Sequence, residues 1–266
     1  MGNDVIWQTK LHARLHDPAE KALVLLRDPE GHEGGTSRAL HRDLGFHNLP
    51  VKEWLDPDNA QVLDTVLFKN GIPITMYKAV KRADWWAAGA DRPQWPVDTV
   101  PARTGEGVTA KVKDWARVRW TEQPVLIHPL TGKPFDLGHL GDTDIRDIKT
   151  RSFDHFSRLI VKDGEVVDWQ RTLLAFWRFG PELHEDEDNA TLGHLWPLLP
   201  ADTRVPDHSI WDHLDLTSAF AGAFAADPHG EAALLALSIG PVQSFIAAAR
   251  KTEDLWAGSH LLARLS

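Results

Sequence analysis

The sequence predicts a mainly α-helical fold with a small β insertion, followed by the start of a second domain. Three observations predict it. Apolar residues recur at three- and four-residue steps, as at Leu11, Leu15, Ala22, Leu25 and Leu26, which is the period of a helix with one buried face. Lys111 to Trp120 alternates instead. Lys111, Lys113, Trp115, Arg117 and Arg119 share one parity, and Val112, Ala116, Val118 and Trp120 the other, giving a strand with one basic and one mostly apolar face. Finally, Asp227-Pro228-His229-Gly230 ends a helical stretch before a new apolar run, Ala232 to Ile239. The boundary is drawn there, giving domains 1–228 and 229–266.

In chain order, Trp7 to Arg27 reads as helix interrupted at Pro18, whose ring removes a backbone donor. Asp28 to Thr36 is a Gly-rich loop carrying His32. Asn59 to Phe68 and Thr75 to Ala90 are helices joined through Asn70-Gly71 and Pro73, and Asp91 to Gly107 is Pro-rich and irregular. A hairpin is expected between about Lys111 and Asp136, then a helix from Ile148 to Leu159. Lys162 to Glu165 forms a turn, and Trp169 to Phe179 a helix. Ser209 caps a helix on which Ile210, His213, Leu214, Thr217 and Ala221 share a face. Ala232 to Ile239 reads as a buried strand, turned by Gly240-Pro241 into a helix with Val242, Phe245, Ile246, Ala249, Leu255 and Leu262 as apolar positions. One strand and one helix cannot bury their apolar surface alone, so this segment is expected to dock loosely or to be poorly ordered.

Composition narrows the chemistry. With no cysteine among 266 residues, disulfides and thiolate metal sites are excluded, and any metal must be held by His, Asp or Glu. A net charge of −9 argues against a free-standing nucleic-acid binder, though not against an acidic metal site beside a locally basic channel. No apolar run approaches the roughly 20 residues of a membrane span, and the start lacks a signal-peptide core, so a cytoplasmic protein without membrane partners is expected.

The chemistry-bearing residues are His16-Asp17, Asp84 and His213. An imidazole and a carboxylate side by side can both ligate a divalent metal where a helix breaks, and Pro18 supplies the break. Phosphohydrolases of the HD type combine three separated pieces: a His on one helix, a His-Asp pair at a second, and an Asp on a later one. Such ligands suit one or two ions of Mn, Ni, Co, Fe or Zn. Here the lone His has no counterpart upstream except His12, and is instead found at His213, near the carboxyl end. A circular permutation accounts for that order.

LHDPAEKALVLL, ADWWAAGADR, VPDHSIWDHLDLTSAFA and SIGPVQSFIAAARKTEDLWAGSHLLARLS resemble successive signatures of the large subunit of type III-B CRISPR effector complexes. The resemblance implies a permuted HD nuclease domain that cuts single-stranded DNA, followed by the first strand and helix of a truncated ferredoxin-like palm domain. It implies antiviral defence within a ribonucleoprotein assembly, with other effector subunits as direct partners and guide and target RNA as indirect ones. His16 and Asp17 would be catalytic metal ligands with Lys21 beside them, and His32, Asp84 and His213 would complete the metal set. Gly240, Gly258 and Ser259 would approach ATP only with complete palm domains. Two departures stand against the pattern: the palm motif Gly-Gly-Asp-Asp is not in this chain, and Lys21 follows Asp17 by four positions where many HD enzymes place a Lys at three.

Each residue also has a plainer reading. His16 and Asp17 could be a capping pair, Asp84 a partner of Arg82 or Arg92, and His213 a core histidine with His208 as its rival. His32 could be a surface side chain, and Lys21 could simply pair with Glu20 or Asp17. A degenerate HD domain serving as scaffold, or a nucleotide phosphohydrolase acting alone, are the competing functions.

Overall fold

The computed structural model describes residues 2–25, 35–45, 68–69, 72–91, 97–101, 107–112, 125–127, 134–136, 145–184, 190–201, 208–227, 229–235 and 242–265. It divides into two compact units, Met1–Ala232 and Ala233–Ser266. The described residues are mainly helical, as the periodicity predicts.

In the first unit, helix α1 (Gly2–Arg14) buries Leu11 and Ala13 completely and stops where the chain tightens, Leu15 N donating to His12 O and His16 N to Ala13 O. Pro18 cannot extend the ladder, and its own carbonyl accepts from Lys21 N to open α2 (Lys21–Leu25). Helix α3 (Gly35–Asp43) follows, then the two-residue strands β1 (Phe68–Lys69) and β2 (Ile72–Pro73) and helix α4 (Ile74–Asp91). Strand pairs β3 (Val97–Pro101) with β4 (Val108–Val112), and β5 (Val125–Ile127) with β6 (Pro134–Asp136), form the β insertion. Helix α5 (Ile145–Arg158) leads into the hairpin β7 (Lys162–Asp163) and β8 (Val166–Val167), turned at Gly164 with φ 62°. Helices α6 (Trp169–Phe179), α7 (Ala190–Leu195) and α8 (Ile210–Ala226) complete the unit.

Helix α8 packs against both α1 and α4, and these three frame the polar centre described below. Ser209 caps α8 in a reciprocal box with Asp212, and the face predicted from spacing is the buried one: Ile210, His213, Leu214, Thr217 and Ala221. Gly222 lets α1 come close, since a Cβ there would stand 2.6 Å from Lys10 Cγ. The main core gathers Leu11, Leu23, Leu40, Ile148, Phe156, Phe176, Trp196 and Trp211. Both buried tryptophans have their N–H groups paired, Trp196 to Gly180 O and Trp211 to Trp196 O, each at 2.9 Å.

Several expectations are corrected. Phe68, expected at a helix end, is a strand residue facing Pro73; residues 59–67 lie outside the described residues. Val97 to Pro101, expected to be irregular, is a full strand paired with β4. Its β-branched Val97, Thr99 and Val100 favour extended backbone, and Pro101 sits at the strand end where its missing donor is harmless. Strand β4 begins three residues ahead of Lys111, so Lys111 and Val112 are the paired residues of the alternating segment, and residues 113–124 lie outside the described residues. Helix α3 starts inside the predicted loop and buries Ala39 and Leu40; the turn expected over Lys162 to Glu165 is present, as the tip of the β7–β8 hairpin.

In the second unit, the expected single helix is two, α9 (Val242–Ala247) and α10 (Thr252–Leu265). The break falls where Glu253 and Asp254 open a new first turn, placed to favour the positive end of a helix dipole. Ala232 to Leu235 forms no strand, with Leu234 89% and Leu235 83% exposed. Residues 236–239, the rest of that predicted strand, lie outside the described residues.

Candidate metal centre

His16 and Asp17 occupy the break between α1 and α2, Asp84 lies in the middle of α4, and His213 in the first turn of α8. The fold brings them together. The His16 and His213 rings stand 5.3 Å apart centre to centre. Asp84 Oδ1 is 3.6 Å from His16 Nε2 and 3.5 Å from His213 Nε2. Among the described residues, His16, Asp84 and His213 form a group whose donor atoms all lie within 4.8 Å of one another. Two ligands held about 2.1 Å from one tetrahedral ion would stand about 3.4 Å apart, which both Asp84–imidazole spacings match closely.

The tautomer of His16 is fixed locally. Its Nδ1 lies 2.6 Å from Ala13 O, and since a carbonyl only accepts, Nδ1 carries the proton. Its Nε2 is buried and has no hydrogen-bond partner. A buried unpaired nitrogen costs stability unless something binds it, and a backbone-anchored Nδ1–H is the usual way a metal-ligating imidazole is oriented. His213 is buried, with its ring 52° to that of His16.

Asp17 adjoins the group without joining it. Its Oδ2 lies 3.6 Å from His16 Nε2 but is held at 2.7 Å by Lys21 Nζ. Burial pushes the Asp17 carboxyl up, yet the His16 ring and the Lys21 ammonium outweigh that and lower it to about 2. Asp84 follows the same logic: burial raises it, and the two imidazoles and Lys81 hold it well below the usual carboxylate range. Lys81 Nζ donates to Asp84 Oδ2 at 3.1 Å, leaving Oδ1 turned to the imidazoles.

Of the plainer readings, Lys21 does pair with Asp17. Glu20 is engaged elsewhere, accepting from Thr36 Oγ1 at 2.5 Å and Ser152 Oγ at 2.7 Å. His213, not its rival His208, stands in the group, and Asp84 faces histidines and Lys81. His32 and Gly240 lie outside the described residues. Gly258 and Ser259 lie on α10 in the second unit.

Sequence reading missed a buried pair beside the centre. His12 Nδ1 lies 2.8 Å from His41 Nε2, one ring donating and the other accepting. Burial, His41 and His16 together push His12 well below its ordinary value. His12 was discoverable, since it precedes His16 by one helical turn. His41 was not, because it sits on the unforeseen α3. Arg14, also buried on this side, pairs with Asp215 of α8.

Residues 234–266 match the family described as CRISPR-associated protein Cmr2, N-terminal. The chain is also 60% identical over 67 residues to the CRISPR system Cmr subunit Cmr2 of Pyrococcus furiosus, covering 25% of this chain and 7% of that relative. It is 39% identical over 67 residues to the CRISPR system CMR subunit Cmr2 of Saccharolobus solfataricus, covering 25% of this chain and 6% of that one. The matched part thus spans less than a tenth of the length of either relative. No solved structure matches the chain. These matches bear out the resemblance to the Cmr2-type large subunit of type III-B CRISPR complexes. The family match lies wholly outside His16, Asp17, Asp84 and His213.

Proposed function

We propose that the chain is part of a CRISPR effector large subunit whose first unit is a permuted HD-type phosphodiesterase acting on single-stranded DNA. The observation that carries this reading is the convergence of His16 from the α1–α2 break, Asp84 from α4 and His213 from α8, with His16 Nε2 buried and unpartnered. His16 Nε2, Asp84 Oδ1 and His213 Nε2 would hold a divalent transition metal, Asp17 standing ready as a further ligand if Lys21 yields it. Such an ion lowers the pKa of bound water and neutralises phosphate charge.

The protein's own groups prepare the site for an anionic diester. The carboxylates Asp17 and Asp84 are each matched by a lysine, Lys21 and Lys81. The two carboxylates and two ammonium groups cancel, so a bound divalent cation makes the centre cationic. Lys21 is then placed to meet a phosphate oxygen. The order of helices supports the permutation: α8 supplies at the end of the unit the lone His that ordinary HD domains carry first.

The second unit would begin a palm domain, with Gly240, Gly258 and Ser259 near ATP only when the remaining palm residues are present. Other subunits of a type III complex, guide RNA and target RNA are the partners this reading implies. The compartment this reading implies is the cytoplasm; among the described residues no helix is long and apolar enough to cross a membrane.

A second reading has its own support. Lys21 holds Asp17 at 2.7 Å and Asp17 stays outside the three-residue group, as a degenerate HD domain kept as scaffold would allow. Cleavage of a labelled single-stranded DNA by the chain in manganese decides between them. The enzyme reading expects cleavage that the double variant His16→Ala, Asp17→Ala abolishes while its helical circular dichroism stays intact; undiminished cleavage by that variant ends it.

A further inference from the structure

The outward side of α4 carries Lys78, Lys81, Arg82, Trp85 and Trp86, all exposed. Two of these are fixed in packing. Trp86 meets Phe220 and Phe224 edge-on, and the Arg82 guanidinium covers Trp86 and Phe224 while donating to Gly230 O at 2.6 Å. Trp85 is different. It is 66% exposed, and its ring contact among the described residues is the Lys81 ammonium, 6.0 Å from the ring centre. That same ammonium bonds Asp84 Oδ2, whose carboxylate faces both histidines. An open indole face, a cation and a candidate metal ligand thus share one helical turn.

The charge here runs against the rest of the chain. The protein carries −9 overall, whereas the middle of α4 sets Lys78, Lys81 and Arg82 against Asp84 alone. Flat aromatic rings interleaved with cations suit single-stranded nucleic acid, whose bases offer free faces and whose backbone is anionic. A duplex hides those faces in its own stack, so a ring of this kind selects for single strands.

We propose that Trp85 is a stacking platform for one base of single-stranded nucleic acid, with Lys81 leading the adjoining phosphate toward the His16–Asp84–His213 centre. It rests on the phosphodiesterase reading for what happens to that phosphate, and on the α4 surface for the binding itself. Trp85 is a positioning residue: it holds a base, not the reacting bond.

The test is fluorescence anisotropy of the full chain with a labelled dT15 strand in EDTA, beside the labelled dT15–dA15 duplex. Trp85→Ala should weaken dT15 binding about tenfold to a hundredfold and leave duplex binding within twofold. Trp85→Phe should keep most of the dT15 affinity. Trp85→Leu, apolar but not flat, should lose it as the alanine variant does, which separates stacking from simple apolar cover. Wild-type affinity in Trp85→Leu, an equal loss for strand and duplex, or no dT15 binding by the unaltered chain overturns the proposal. Manganese titration by calorimetry reads the metal centre separately. A chain that binds dT15 through Trp85 yet takes up no manganese keeps this inference and loses the phosphodiesterase reading.

Discussion

Helix α8 joins two buried regions that treat polar groups in opposite ways. At the aromatic end, the N–H groups of Trp196 and Trp211 each reach a carbonyl at 2.9 Å, and Phe156 and Phe176 close the rings around them. Two residues beyond Trp211, His213 turns toward His16, whose Nε2 is buried without a partner. An unpaired buried donor or acceptor costs about 1–3 kcal/mol. The first region therefore stabilises the fold, and the second holds an unsatisfied nitrogen whose cost the first makes tolerable. A polar group's state of satisfaction, more than its burial, separates scaffold from site.

The contrast breaks most easily at Trp196. Trp196→Ala should lower the unfolding free energy by about 3–5 kcal/mol, read from urea denaturation; a loss under about 1 kcal/mol would mean that the aromatic end is not what holds α8. Asp84→Asn tests the other side. It should weaken manganese binding by at least about a hundredfold, the upper range for loss of a mere supporting group, which calorimetric titration measures. Its effect on metal-free stability should be well below that of Trp196→Ala.

Acid sharpens the difference. Asp17 is depressed from 3.8 to about 2, and a lowered carboxyl contributes stability that is present above its unfolded value and lost as pH falls through the folded one. The metal-free chain should therefore lose about 2 kcal/mol between roughly pH 4 and pH 2 from this group. Lys21→Met should shrink that loss in urea midpoints measured across the range. The smallest effect belongs to the helix start that both regions share. Ser209→Ala removes the cap of α8 and should cost about 1 kcal/mol, seen as a lower melting temperature.

Long periodic elements were legible in the sequence because their signals are local. Thr75 to Ala90 and Trp169 to Phe179 match α4 and α6 almost residue for residue, and Ser209 is the cap that its position before Ile210 predicts. The meeting of His16, Asp84 and His213 was legible through the residue types a metal requires, although their order along the chain is unusual. What escaped depends on pairing across space. The strand at Val97 needs β4 to exist, and Pro101 with the prolines ahead of it, Pro93 and Pro96, reads as loop until the partner is known. Helix α3 opens with glycine and serine-threonine residues that suggest turn, and it is held by the burial of Ala39 and Leu40 and by Thr36 bonding Glu20. His41 was lost with it.

The packing of α1 on α8 also sets a timetable. Lys10 meets Ser218 across 208 positions, and Arg14 meets Asp215 across 201. At translation rates of about 5–20 residues per second, α1 leaves the ribosome roughly ten to forty seconds before the helix it needs. During that interval Leu11, Ala13 and Leu15 have no α8 to lie against, and contacts of such long range close slowly. The unit therefore cannot assemble from its amino end as it emerges; α1 must wait, exposed or chaperoned, until nearly the whole unit has been made.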